Sequence, residues 1–241
     1  MTPKQIQTNQ TLEFILDNIA SQNLRMLEVG CGDGALAKRL KDLGHALVAV
    51  DSSAESIDRA KELGIDARVA NFPDFEESPF DVILFTRSLH HIRPLEPSLI
   101  QTLRLLKPDG LLIVEDFAFS ETHEEAAAWF YSLLTLLETC KGLLPAKDSF
   151  GRKLLEQGSG FALWRDHTHD INSATEVREA ISQHFQILKA NSAPYLYRYV
   201  AAMLPNDNES GNLVLRVLDL EKKTGELNPD FLIGRRFVAK L

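Results

Sequence analysis

Leu27-Glu28-Val29-Gly30-Cys31-Gly32-Asp33-Gly34 is the stretch on which the reading of this chain turns. It closes a short apolar run, Leu24–Val29, and opens directly onto the helical pattern Ala35–Leu43. A strand that runs into glycines and then a helix is a ligand cradle. Gly30, Gly32 and Gly34 allow backbone angles and close approaches that a Cβ would block. Two residues before the first glycine stands Glu28, an acid inside a strand, which is costly to bury unless it meets a polar partner.

Two kinds of nucleotide ligand fit these spacings. Gly30, Gly32 and Ala35 satisfy the dinucleotide pattern G-x-G-x-x-[GA], and Asp51 lies about 20 residues on, where a ribose-binding acid is expected. Read instead as [E/D]-x-G-x-G-x-G, Glu28 to Gly34 resembles motif I of the class I S-adenosylmethionine-dependent methyltransferases. That resemblance implies that Gly30 and Gly32 let the backbone touch the methionine part of the cofactor, while Glu28 orients the loop or the amino group. A nicotinamide enzyme would present a pyrophosphate to the helix N-terminus, and an acid at that mouth would repel it.

A chain of 241 residues suits one α/β domain, 1–241, with an insertion. Its net charge of −8 and the lack of a Lys/Arg stripe argue against a nucleic-acid partner. Two cysteines, Cys31 and Cys140, are too few for a disulfide framework and lack metal spacing. Met1–Gln10 is polar and unlike a signal peptide, and no apolar run reaches membrane length. A cytoplasmic protein without a membrane partner or a metal is expected.

Thr11–Ala20 has apolar residues at helical spacing, and Ala46–Val50 is an apolar run suited to a buried parallel strand. Asp51 ends that strand; it reads as a helix-start residue or as a ligand for a ribose diol. Ser52 and Glu55 stand at capping-box spacing. A short strand, Ala67–Ala70, leads to Asn71-Phe72. In the methyltransferases an Asp there accepts the adenine amino group and the next amide meets the ring, so the resemblance gives that role to Asn71 and Phe72. Asn71 departs from the pattern but keeps a carbonyl acceptor; it reads equally as a turn former.

Phe80–Phe85 matches the family's "FD" strand and leads into Thr86-Arg87-Ser88-Leu89-His90-His91. A loop at the carboxyl end of such a strand faces the reacting centre. The paired histidines resemble the "LHH" of many small-molecule methyltransferases. His91 is the candidate base, with His90 and Asp116 behind it, because imidazole titrates near working pH; either histidine also reads as a packed structural residue. The turn Lys107-Pro108-Asp109-Gly110 precedes strand Leu111–Val114. Glu115-Asp116-Phe117 reads first as a solvated loop start, otherwise as a base or an amine anchor.

Ala126–Leu144 is helical and apolar all round, so it should pack on the sheet, on a partner chain as in a homodimer, or on an enclosed substrate. With Phe150, Phe161 and Trp164 among glycines, residues 118–170 read as a helical, substrate-selecting lid. His167 and His169 have no second ligand group at metal spacing. Ser173–His184 is a capped helix, Phe185–Leu188 a strand, and Tyr195, Tyr197 and Tyr199 share a face only if extended. Gly234–Lys240 is a last strand.

Taken together, the resemblance implies a Rossmann-like, doubly wound α/β fold. Its seven-stranded sheet is mostly parallel, with the last strand antiparallel between strands five and six. It places the cofactor, S-adenosyl-L-methionine with S-adenosyl-L-homocysteine as product, against Glu28, Gly30, Gly32, Gly34, Asp51, Ser52, Asn71, Phe72 and Thr86. The expected reaction is O- or N-methyl transfer to a small apolar or aromatic acceptor. An NAD(P)-dependent oxidoreductase and a non-catalytic cofactor-binding regulator are the alternatives.

Overall fold

A computed structural model of the chain describes residues 1–140, 143, 149–158, 161–166 and 171–241. In chain order the elements are α1 (Pro3–Leu16), β1 (Arg25–Val29), α2 (Ala35–Asp42), β2 (Ala46–Asp51), α3 (Ala54–Glu62), β3 (Asp66–Val69), β4 (Phe80–Thr86), α4 (Leu95–Leu105) and β5 (Leu106–Phe117). There follow α5 (Glu124–Thr139), α6 (Phe150–Gln157), α7 (Phe161–Asp166), α8 (Ala174–His184), β6 (Gln186–Ala193), α9 (Leu196–Ala202), α10 (Asn208–Leu227) and β7 (Gly234–Lys240). The sheet order is β3-β2-β1-β4-β5-β7-β6, six strands parallel and β7 antiparallel.

Contacts divide the chain into two compact units. One comprises Gln10–Asp116, Ile171–Asn191 and Arg235–Leu241; the other comprises Met1–Asn9, Phe117–Asp170 and Ser192–Gly234. The first carries nearly all of the sheet, covered on both faces. Because side chains alternate along a strand, Leu27, Val29, Ile83, Phe85, Leu112 and Val114 enter one core with Leu99 and Val177. Met26, Val82, Leu84 and Ile113 enter the other, with Leu12, Ile15, Leu36 and Ile57.

Several boundaries differ from expectation for local reasons. The first helix starts at Pro3, not Thr11: Gln5 N–H donates to Thr2 Oγ1 (3.4 Å) and Thr2 N–H to Gln5 Oε1 (2.9 Å), a capping box with proline at the first helical position. Helix α3 is capped by Ser53, which accepts Ser56 N–H, and not by Ser52. Lys107–Gly110 is a bulge within β5, since Phe80 pairs with Leu106 and Val82 with Leu111. Ser173 and Glu176 form the capping box of α8, as its sequence suggested.

The second unit is helical. Helix α5 buries Ala126, Ala127, Phe130, Leu134 and Leu137 and packs on α6 and α7, while Leu136 is exposed, so the helix is one-sided and not apolar all round. Phe130, Phe150, Trp164 and Tyr199 meet ring to ring, with Trp164 edge-on to Phe150 at 4.5 Å between centroids. Tyr195, Tyr197 and Tyr199 fall on or beside α9 and so do not share one extended face. Residue 144, Gly160, His167, His169 and Asp170 lie outside the described residues. Among those described, no helix is long and apolar enough to cross a membrane, and no cluster of His, Cys, Asp and Glu is placed to hold a metal.

Candidate active site

The glycine stretch leaves β1 and is tied to the end of β2. Gly30 and Cys31 N–H donate to Val50 O (2.8 and 3.1 Å), and Gly32 N–H donates to Asp51 Oδ2 (2.9 Å). Asp51 Oδ1 accepts Ser53 N–H (2.9 Å), so this carboxylate organises both the loop and the start of α3 while lining the cavity. Each oxygen keeps a lone pair for a ligand.

All three glycines have positive φ, and each serves a different purpose. A Cβ on Gly30 would lie 2.3 Å from Ser88 Cβ, so this glycine allows the loop after β4 to close in. A Cβ on Gly34 would lie 2.7 Å from Ala60 Cβ, so this glycine allows α2 to pack on α3. A Cβ on Gly32 would meet nothing within 4 Å; there the glycine leaves open space.

Glu28 is buried in β1. Its Oε1 accepts the Thr86 hydroxyl (3.0 Å), while Oε2 has no hydrogen-bond partner. Burial pushes its carboxyl up to about 7, against the lowering effects of the Thr86 hydroxyl, the Arg87 charge and the Ala37 backbone amide. Neither Glu28 nor Thr86 is among the residues that line the cavity.

That cavity, of about 750 Å³, is lined by Gly30, Asp51, Ser52, Asn71 and Phe72 and continues past Arg87 and Ser88 to His91 and Arg93. Phe72 is buried with its ring edge-on to Phe85; Asn71 and Ser52 are exposed. Ser88 donates to Val29 O (2.6 Å), joining the two loops.

Glu115 and Asp116 are both buried, which overturns the reading of a solvated loop start. Being adjacent in β5, they point to opposite faces of the sheet. Glu115 joins Thr11, Arg87 and Arg236: the Thr11 hydroxyl donates to Oε1 (2.8 Å) and the Arg236 fork to Oε2 (3.0 and 2.8 Å). On the other face Asp116 Oδ1 meets His90 Nδ1 at 2.7 Å, and Oδ2 accepts the His90 backbone N–H at 3.0 Å.

The carboxylate thus holds His90, not His91. His90 is buried, and its ring lies 4.0 Å from that of His91, which is exposed and lines the cavity. Desolvation and the neighbouring His90 hold the His91 imidazole below its ordinary value, against the pull of Asp116. Asn172, which sequence reasoning missed, clamps this turn: its Nδ2 donates to Leu89 O (3.0 Å) and Ile92 O (2.9 Å), and its N–H to His90 O (2.8 Å). Arg236 and Thr11 were missed as well. All three come from distant segments without a local motif.

Residues 5–163 match the model of a family described as a methyltransferase domain. The chain belongs to that family, the class I S-adenosylmethionine-dependent methyltransferases. It is similar to the ubiquinone biosynthesis O-methyltransferase of Bartonella tribocorum, at 33% identity over 114 residues, 43% of this chain and 46% of that one. It is also similar to the tRNA 5-carboxymethoxyuridine methyltransferase of Escherichia coli K12, at 34% identity over 116 residues, 43% of this chain and 44% of that one. The chain therefore spans about half the length of the curated relatives it matches. In fold it resembles an S-adenosylmethionine dependent methyltransferase from Mesorhizobium loti, with a TM-score of 0.56 and 12% identity over 95% of this chain and 96% of that one. Of the two readings that the glycine stretch allowed, the dinucleotide reading falls.

Proposed function

We propose that this chain transfers the methyl group of S-adenosylmethionine to an oxygen or nitrogen of a small, apolar or aromatic acceptor. The observation that carries the reading is the single cavity reaching from Asp51 and Asn71 past Gly30 to His91. Its residues fit the cofactor: Asp51, Ser52 and Asn71, which line the cavity, and the Phe72 backbone suit a nucleoside; behind that lining the Oε2 of Glu28 suits an amino group, and Gly32 leaves room. When bound, the cofactor supplies a methyl on a cationic sulfur. His91, kept neutral at pH 7, takes the proton from the acceptor hydroxyl or amine, and Asp116, His90 and Asn172 fix the turn that carries it. Residues 1–241 act as a single methyltransferase domain in which 118–170 is the acceptor-selecting lid.

A tRNA acceptor is the second reading. The likeness to the Escherichia coli enzyme favours it, and a net charge of −8 without a basic stripe speaks against it.

Calorimetric titration tests the cofactor. Micromolar binding of S-adenosylmethionine and S-adenosylhomocysteine, with no response to NAD or NADP, supports the proposal; nicotinamide binding alone overturns it. His91→Ala is expected to lower the single-turnover rate about 10²-fold or more at neutral pH. An unchanged rate across that range removes the base.

A further inference from the structure

Arg87 lines the cavity beside Gly30 and Ser88 and has a φ of 60°, in the left-handed region that residues with a Cβ rarely adopt. Its N–H donates to Glu115 O (2.6 Å), and its Nη1 alone reaches Thr11 Oγ1 (3.0 Å) and Glu115 Oε1 (3.1 Å). Arg236 lays its Nε/Nη2 fork on Glu115 Oε2. The same fork on Arg87 has no hydrogen-bond partner among the described residues. Two guanidiniums therefore share Glu115, and the one at the cavity keeps its planar two-donor edge. Such an edge matches a carboxylate bidentately, and strained backbone of this kind collects at ligand-holding positions. Glu28 also feels the Arg87 charge, and its raised carboxyl carries only part of a charge at neutral pH.

We propose that the Nε/Nη2 edge of Arg87 is a carboxylate subsite of this cavity. Its occupant is the carboxylate of the cofactor's methionine end or a carboxylate of the acceptor. The first source rests on the proposed function; the fork's affinity for carboxylates does not.

The test compares Arg87→Gln with Arg236→Gln, which disturbs the same Glu115 from a residue outside the cavity lining. If the cofactor is the source, the methyl ester of S-adenosylhomocysteine binds wild type at least about tenfold more weakly than the parent, and Arg87→Gln removes the difference. If the acceptor is the source, the ester binds as the parent does. Benzoate and succinate, followed by ligand-observed NMR with and without S-adenosylhomocysteine, then bind wild type and lose about tenfold or more in Arg87→Gln. Should the Gln variant fail to fold, Arg87→Lys keeps the charge, lacks the fork and serves the same comparison. The subsite is overturned if no carboxylate preference depends on Arg87, or if Arg236→Gln loses as much. Absence of S-adenosylhomocysteine binding to wild type sinks the cofactor reading alone, because benzoate on the unloaded protein still decides the fork.

Discussion

Glu28 in β1 and Glu221 in α10 stand in different units, both are buried, and burial pushes both carboxyls up to about 7. Their oxygens differ. Glu221 accepts three backbone N–H groups, from Tyr195 (2.6 Å) and Leu196 (2.9 Å) on Oε1 and from Tyr197 (3.0 Å) on Oε2, and so caps the start of α9. Glu28 accepts one hydroxyl and is steadied by the Ala37 amide, while its Oε2 makes no hydrogen bond. A filled carboxyl of this sort organises backbone, whereas a half-filled one is a costly feature that a cationic ligand relieves.

The largest effect is expected at Glu221. Glu221→Ala leaves three amides without their acceptor, and urea unfolding is expected to show a loss of at least about 3 kcal/mol. S-adenosylhomocysteine affinity in the folded fraction should stay within about twofold. Equal stability with weakened binding would reverse the roles assigned to the two glutamates.

Glu28→Gln should do the opposite, weakening S-adenosylhomocysteine about tenfold or more while the protein stays folded. Its stability signature depends on pH. Between the ordinary value of 4.5 and the buried value of about 7, folded Glu28 holds a proton that the unfolded chain has released. Stability of the wild type therefore falls as pH rises through that window and levels off above it. The glutamine lacks this penalty, so its advantage over wild type should grow by about 3 kcal/mol from about pH 4 to about pH 8. A flat difference would mean that Glu28 does not titrate there.

The smallest effect sharpens the contrast between space for a ligand and space for packing. Gly32→Ala is expected to cost about 1 kcal/mol of stability through its positive φ, yet to weaken the cofactor, since its Cβ enters open space. Gly34→Ala, pressed on Ala60, should lose more stability and bring little direct change at the cofactor. Thermal melts paired with calorimetry separate the two.

The sheet and the cradle were legible because their signals are local: apolar strands, the spacing from Glu28 to Gly34, and Asp51 at the end of β2. Period-two alternation also sends Glu115 and Asp116 to opposite faces, but two adjacent acids after an apolar run look like the end of a strand and not its continuation. The partners of those acids were not legible. Thr11, Asn172 and Arg236 reach them from other elements, and no spacing along the chain marks such meetings. The same holds for His90 and His91, adjacent in sequence and alike in chemistry. Only the register of the turn decides which one Asp116 seals and which one faces the cavity.

β7 lies between β5 and β6 in the sheet although it follows both in the chain. As the polypeptide leaves the ribosome, β6 emerges before its one neighbour exists, and the outer edge of β5 waits unpaired for the same strand. The turn bearing the two histidines is likewise unfastened until Asn172 has been made. Late closure of non-local pairings is slow and leaves open strand edges that invite aggregation. A nascent chain stalled before β7 therefore leaves the outer edge of β5 and the whole of β6 without a partner strand.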